Sequence, residues 1–305
     1  MGRVELGIYD GARSDWLTNE LEGLSMTDAI RKVGFIGLGS MGGDQARELA
    51  KLPLDLTVYD LFPEALSKFE GRATLAASMA DVGVDADVVG ICVRDDTQVL
   101  ECVDALFPVM KRGAILLIHS TIKPKTAERI AERALPLGID VIDAPVTRTE
   151  MTDDGPFVFC MTGGSEAAAA HAQIVLDAFS TNTMHIGPLG SAMALKICNN
   201  LVSWCGIMLG VEVANVAEAA GVPMDKLLTV MKRNGNLTPP MAGFIDFRNN
   251  PGDAARRAFF ASQAGIGEKD LALAEELAAG SNAASPITSH TKTLLKKTLL
   301  SIVES

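Results

Sequence analysis

From Lys32 onward, short apolar runs alternate with longer stretches in which apolar residues recur every three or four positions. The short runs predict strands at 33–36, 56–59, 88–93, 115–119, 141–142 and 157–161, with an edge strand at 183–186. Helices are predicted between them at 41–51, 63–70, 97–107, 124–134 and 166–179. This alternation is the signature of a parallel sheet covered by helices. After 186 the strand pattern stops. Residues 187–220 open on a glycine-rich turn, with Gly190 or Ser191 able to cap, and run without proline to Gly221-Val222-Pro223. A helix of roughly 30 residues is predicted, against the usual 11–12. Helical patterns follow at 224–233, 253–261, 269–279 and 286–303. The chain thus divides into an appendage (1–31), an α/β domain (32–189) and an all-α domain (190–305), with the long helix between the last two. The appendage mixes charges with a lone Trp16, is too acidic for a transit peptide and lacks the apolar core of a signal peptide.

Inside the long helix, residues 197–211 carry no charge and include Leu201, Val202, Trp204, Met208 and Leu209. That predicts burial on most faces, and the run falls short of the about 20 residues a membrane span needs. Lys196 and Asn200 stand four residues apart with Asn199 between, so the lysine and the amide share one face. Two readings are open: a lysine whose stem is buried and whose head reaches water, or the edge of an active site.

Composition narrows the functions. The 305 residues, 48 % hydrophobic, can bury a core for two domains. Lys+Arg 27 against Asp+Glu 38 leaves a net charge of −11, which argues against nucleic acid or an anionic membrane as partner. Cys92, Cys102, Cys160, Cys198 and Cys205 form no C-x-x-C pair, so reduced thiols, no metal site and a cytoplasmic location are expected.

The strongest motif is Gly37-Leu38-Gly39-Ser40-Met41-Gly42, a G-x-G-x-x-G that follows the first strand and opens a helix. Gly37 permits the turn, Gly39 lets a pyrophosphate approach the backbone, and Gly42 lets helix pack on strand. The helix N-terminus then faces the phosphate charge. Asp60, at the end of the second strand, is placed to accept from the adenosine ribose and to repel a 2′-phosphate. With no arginine beside it, NAD is expected over NADP. Val93, at the end of the 88–93 strand, belongs with these cofactor residues, since ligands bind at strand carboxyl ends in such sheets. The fold class is therefore α/β: a Rossmann-type dinucleotide-binding domain followed by an all-α domain, joined by a long interdomain helix.

Four stretches, in order, resemble the β-hydroxyacid dehydrogenase family, typified by 3-hydroxyisobutyrate dehydrogenase and tartronate semialdehyde reductase. They are VGFIGLGSMGG at 33–43, Asp143-Ala144-Pro145-Val146 leading to Gly163-Gly164, Gly187-x-x-Gly190 leading to Lys196-x-x-Asn199-Asn200, and Lys269-Asp270-Leu271-x-Leu273-Ala274. The resemblance implies that Lys196 is the catalytic lysine and Asn200 the amide that orients substrate. It implies that Ser120 and Thr121 flank the nicotinamide and that Lys269 lies near the cofactor. It implies a dimer or higher oligomer, a homodimer or homotetramer, and a small hydroxy acid as substrate. The expected activity is NAD-dependent oxidation of a 3-hydroxy acid or reduction of the matching semialdehyde, with an imine reductase-like enzyme and a non-catalytic binding module as alternatives on the same fold. One departure stands out. Where the family has Ser-Gly-Gly to hold the substrate carboxylate, this chain has Thr147-Arg148-Thr149, followed by Glu150, Asp153 and Asp154. Thr147 keeps the hydroxyl. Arg148 either clamps the carboxylate through its guanidinium or turns to solvent and pairs with Glu150.

Overall fold

The structure, a computed structural model, describes residues 30–148 and 157–304. Most of the appendage, Thr149 and the acidic stretch with Glu150, Asp153 and Asp154 lie outside the described residues.

The first domain is one sheet. Its strands are β1 (Lys32–Ile36), β2 (Asp55–Tyr59), β3 (Thr74–Leu75), β4 (Val88–Ile91), β5 (Ile115–Ile118), β6 (Asp140–Asp143), β7 (Val146–Arg148), β8 (Val158–Gly163) and β9 (Ser180–Gly187). Their order is β3-β2-β1-β4-β5-β6-β8-β7, with β9 also on β8. Pairing is parallel from β3 through to β6 and again between β8 and β9, and antiparallel where β8 meets β6 and β7. Every residue of β4 and of β5 is buried, as a strand covered on both faces requires. Alternate residues feed two apolar clusters: Phe35, Val58, Leu117 and Phe179 on one face, and Ile36, Ile91, Leu116 and Ile118 on the other. Strand order reverses between β1 and β4, the switch point where such sheets bind ligands.

The helices of this domain are α1 (Ser40–Leu49), α2 (Pro63–Leu66), α3 (Met79–Gly83), α4 (Asp96–Leu106), α5 (Pro124–Ala134), α6 (Glu166–His171) and α7 (Gln173–Asp177). The expected helix at 166–179 is thus two short ones meeting at Ala172. The helix expected over 63–70 is a single turn followed by a 3-10 turn, Ser67–Phe69.

The second domain comprises α8 (Ser191–Ala219), α9 (Met224–Arg233), α10 (Pro239–Asn249), α11 (Ala254–Gly280) and α12 (Pro286–Glu304). Two features depart from the sequence pattern. Helix α10 was not anticipated, because Pro239-Pro240 reads as a break; here the prolines stand in the first turn, where no amide partner is lost, behind the Thr238 cap. The helices expected at 253–261 and 269–279 are one continuous α11. The join is packed: at Gly267 the helix lies against Trp204 and Leu295. A Cβ there would come within 2.9 Å of the indole and 2.6 Å of Leu295.

Helix α8 holds the two domains together. It packs on α10, α11 and α12 through Trp204, Ile207, Val211 and Ala214. Its opposite face is bare: Leu195, Val202, Leu209 and Val216, seven residues apart, are 41 %, 69 %, 58 % and 63 % exposed. Burial on most faces was expected for 197–211; there only Cys198, Asn199, Val202 and Leu209 are exposed, and the bare apolar stripe is the exception. By length and composition alone α8 is apolar enough to cross a membrane, its most apolar 18-residue window having a mean hydropathy of 1.4 with 33 % of it buried. Its first turn is held from the sheet: Gly190 N donates to Asp143 Oδ1 at 2.9 Å and Met193 N to Asp143 Oδ2 at 2.7 Å.

Candidate active site

The turn from β1 into α1 is made of backbone. Gly37 sits at φ 94°, where an L side chain is strained, and its Cβ would lie 2.2 Å from the Cys92 carbonyl oxygen. A Cβ on Gly42 would lie 2.0 Å from the Gly37 oxygen, while one on Gly39 would meet nothing within 4 Å. So two glycines close the turn and the third leaves room in front of it. Gly39 is the N-cap of α1 and brings no side chain to its amides. Uncapped first-turn amides beside an open space fit a diphosphate. Ser40 is exposed, Met41 half-buried and Leu38 buried. Asp60 braces this turn. Leu38 N donates to Oδ2 at 2.6 Å and Phe62 N to Oδ1 at 2.8 Å, and each oxygen keeps a lone pair for a ribose hydroxyl.

Beside the turn, Val93 N donates to the hydroxyl of buried Ser120 at 2.7 Å, joining the ends of β4 and β5. The next carbonyl, that of Thr121, accepts from Lys269 Nζ at 3.0 Å. A lysine of α11 therefore reaches the sheet domain at the expected nicotinamide end.

Lys196 is buried on α8, only 8 % exposed. Burial disfavours its charge and draws its pKa from 10.5 down to about 8; Asp270 opposes the fall and Lys269 adds to it. Its Nζ makes no hydrogen bond among the described residues, and Asp270 is the carboxylate acting on it. Asp270, on α11 and 4 % exposed, accepts at Oδ2 from Asn200 Nδ2 (2.8 Å) and from Trp204 Nε1 (3.1 Å), and pairs at Oδ1 with Lys269 (3.2 Å). Lys196, Asn200 and Lys269, picked out by sequence, thus meet around a carboxylate that had been quoted within a motif but given no role. Its sequence neighbours Glu268 and Lys269 make it read as part of a charged patch, although it is buried and a buried charge needs partners.

At the β7 end Arg148 makes contacts that neither expectation named. Thr147 is half-buried. The Arg148 guanidinium reaches α1, with Nη2 2.8 Å from Asp44 Oδ2 and 3.3 Å from Met41 Sδ, and its carbon 5.1 Å from the Phe157 ring centre. Asp44 also pairs with Arg47. The end of β7 is therefore tied to the helix that opens the nucleotide turn.

Comparison with known proteins agrees with this geometry. The family described as the NAD binding domain of 6-phosphogluconate dehydrogenase matches residues 32–187. An uncharacterized oxidoreductase of Mycobacterium tuberculosis is 34 % identical over 252 residues, covering 80 % of this chain and 84 % of that one. A probable mitochondrial 3-hydroxyisobutyrate dehydrogenase of Dictyostelium discoideum is 30 % identical over 263 residues, covering 83 % and 80 %. Among solved structures, the Mycobacterium tuberculosis 3-hydroxyisobutyrate dehydrogenase with L-serine has a TM-score of 0.74 at 22 % identity, covering 90 % of this chain and 98 % of that one. An imine reductase from Myxococcus stipitatus in complex with NADP+ has a TM-score of 0.61 at 20 % identity, covering 88 % and 94 %; these two show likeness of fold. The protein carries an NAD-binding domain and is an oxidoreductase of the β-hydroxyacid dehydrogenase family, the family in which 3-hydroxyisobutyrate dehydrogenases are found.

Proposed function

We propose that this chain is an NAD-dependent dehydrogenase of a small 3-hydroxy acid, able to reduce the matching semialdehyde, with Lys196 as the proton-transfer residue. The observation that carries the reading is Lys196 itself: a buried lysine, drawn to about 8, held on a rigid helix beside a fixed carboxylate. When bound, the nicotinamide accepts or supplies the hydride. The chain's own task is the proton. In oxidation, neutral Lys196 Nζ takes the proton of the substrate hydroxyl; in reduction the ammonium returns it to the carbonyl oxygen. A group with a pKa near the working pH serves both directions. Asp270 holds the Asn200 amide through one N–H, leaving its other donor and its carbonyl oxygen for the substrate. The substrate carboxylate is assigned to the end of β7, with Thr147, Arg148 and Thr149. Asp60 favours NAD by repelling a 2′-phosphate.

The test is a screen of 3-hydroxy acids with NAD and NADP in parallel, following absorbance of the reduced cofactor. Turnover of a 3-hydroxy acid with NAD is expected. Turnover confined to cyclic imines with NADPH would move the protein to imine reduction, a reading kept open by the shared fold alone. The apolar stripe of α8 supports assembly of like chains, its exposed residues needing cover that one chain does not provide. A light-scattering mass near the 32.2 kDa of one chain at micromolar concentration would refute assembly.

A further inference from the structure

We propose that Asp143 is the residue that positions Lys196: fixed at the end of β6, its carboxylate caps α8 from the sheet and sets how far along its axis the lysine stands. The helix has no cap of its own. Its N-cap is Gly190, at φ 88° and without a side chain, and the Ser191 hydroxyl has no partner among the described residues. The amides of the N-cap, Gly190, and of the third helical residue, Met193, donate instead to Asp143, 47 and 50 residues earlier, at 2.9 and 2.7 Å. Asp143 is fully buried and rigidly mounted. It pairs with Ile118 of β5 and Gly163 of β8, and Ala144 N beside it donates to the Ile118 oxygen at 2.9 Å. The neighbouring backbone is cleared for it. A Cβ on Gly163 would lie 2.3 Å from Asp143 Oδ1, so at that position only glycine leaves the carboxylate where it is. A negative charge at a helix N-terminus also complements the helix dipole.

What makes this more than a stabilising cap is where Lys196 falls. It stands three residues after Met193, the last amide held by Asp143, and four before Asn200, the first side chain held by Asp270. One carboxylate grips α8 from the sheet domain and the other from α11, and the lysine lies on the turn between. Releasing the first grip frees the helix start to shift along its axis, where one residue is about 1.5 Å. A misplacement of about 1 Å in a reacting group is enough to cost about a hundredfold in rate. Asp143 touches neither substrate nor cofactor in this scheme; it acts through the lysine.

The inference rests on Lys196 as the proton-transfer residue, and the two are tested by different variants. Asp143→Ala and Asp143→Asn are compared with wild type for kcat, substrate KM, NADH affinity by fluorescence titration, and melting temperature. Asp143→Ala is expected to lose about a hundredfold in kcat, with Asp143→Asn, which keeps one acceptor, in between. NADH affinity, set at the β1–α1 turn, and substrate KM should stay within about twofold of wild type. Should Asp143→Ala fold poorly, adding Ser191→Asp supplies a carboxylate to the helix start without a tie to the sheet. That double variant is expected to regain its melting temperature and remain slow. Wild-type kcat in folded Asp143→Ala, recovery of kcat in the double variant, or a parallel loss of kcat and NADH affinity would each overturn the proposal. Normal turnover in Lys196→Ala would instead overturn the catalytic reading on which it builds.

Discussion

In the sheet domain the site is built from backbone; in the helical domain it is built from buried side chains. The nucleotide turn has glycines, free amides and one carboxylate that braces it, all within 23 residues of one another apart from the Cys92 carbonyl behind it. The Lys196 end has a lysine, an amide, an indole and an acid brought together from residues 66 to 74 apart, with a lysine tie spanning 148. The first kind of site depends on space and is damaged by adding atoms. The second depends on charge balance in a dry place and is damaged by removing them.

The contrast is tested most sharply at Lys196. Replacing it by alanine is expected to lower kcat by about 10²–10⁴ while leaving NADH affinity near wild type. The same lysine makes a stability prediction of opposite sign. Unfolded, it keeps its proton to about 10.5; folded, it releases it near 8. Between those values the unfolded chain binds more protons, so stability rises with pH across that window and does not change through this group below it. The fall from 10.5 to about 8 amounts to roughly 3 kcal/mol of burial cost at neutral pH. Lys196→Met should therefore be inactive but melt higher than wild type at pH 7; a lower melting temperature would show that the charge is better accommodated than its burial implies.

Glycine substitutions divide the other half. Gly42→Ala places a Cβ 2.0 Å from the Gly37 oxygen and should disrupt the turn itself, lowering both melting temperature and cofactor affinity. Gly39→Ala meets nothing within 4 Å, so the protein should fold normally yet bind NADH roughly tenfold more weakly, about 1.4 kcal/mol. Equal melting and equal affinity in Gly39→Ala would mean that the diphosphate does not approach there.

The smallest effect is expected at Asp270→Asn, which keeps an acceptor for Asn200 and Trp204 but removes the charge that supports the lysine ammonium. The pH at which kcat for oxidation levels off should then move below about 8. An unmoved profile would leave Asp270 as a purely geometric tie.

How much of this could be read beforehand follows the same division. The nucleotide turn was legible because its parts are contiguous and each glycine answers a local demand. Lys196 and Asn200 were legible as a pair, since four residues make one face of a helix. Asp270 and Asp143 stood inside quoted motifs, yet what they hold lies dozens of residues away, and nothing in their neighbourhood names the partner. Helix α11, expected as two pieces at 253–261 and 269–279, is one helix whose middle packs on a distant one. A glycine costs a helix about 1 kcal/mol locally, but Gly267 answers to Trp204, which no window around it contains. Arg148 was given two partners and has a third, Asp44, on a helix 104 residues earlier.

The bond from Lys269 to the Thr121 carbonyl has a consequence during synthesis. Chains fold domain by domain as they emerge, amino end first, and contacts between distant residues form late because they close long loops. The strands and the glycine turn are complete once residue 187 has left the ribosome. Asp270 arrives only 83 residues later, 270 minus 187. For that interval the nascent chain can recognise its cofactor while lacking the carboxylate that settles the lysine, and it becomes an enzyme only when its last quarter docks.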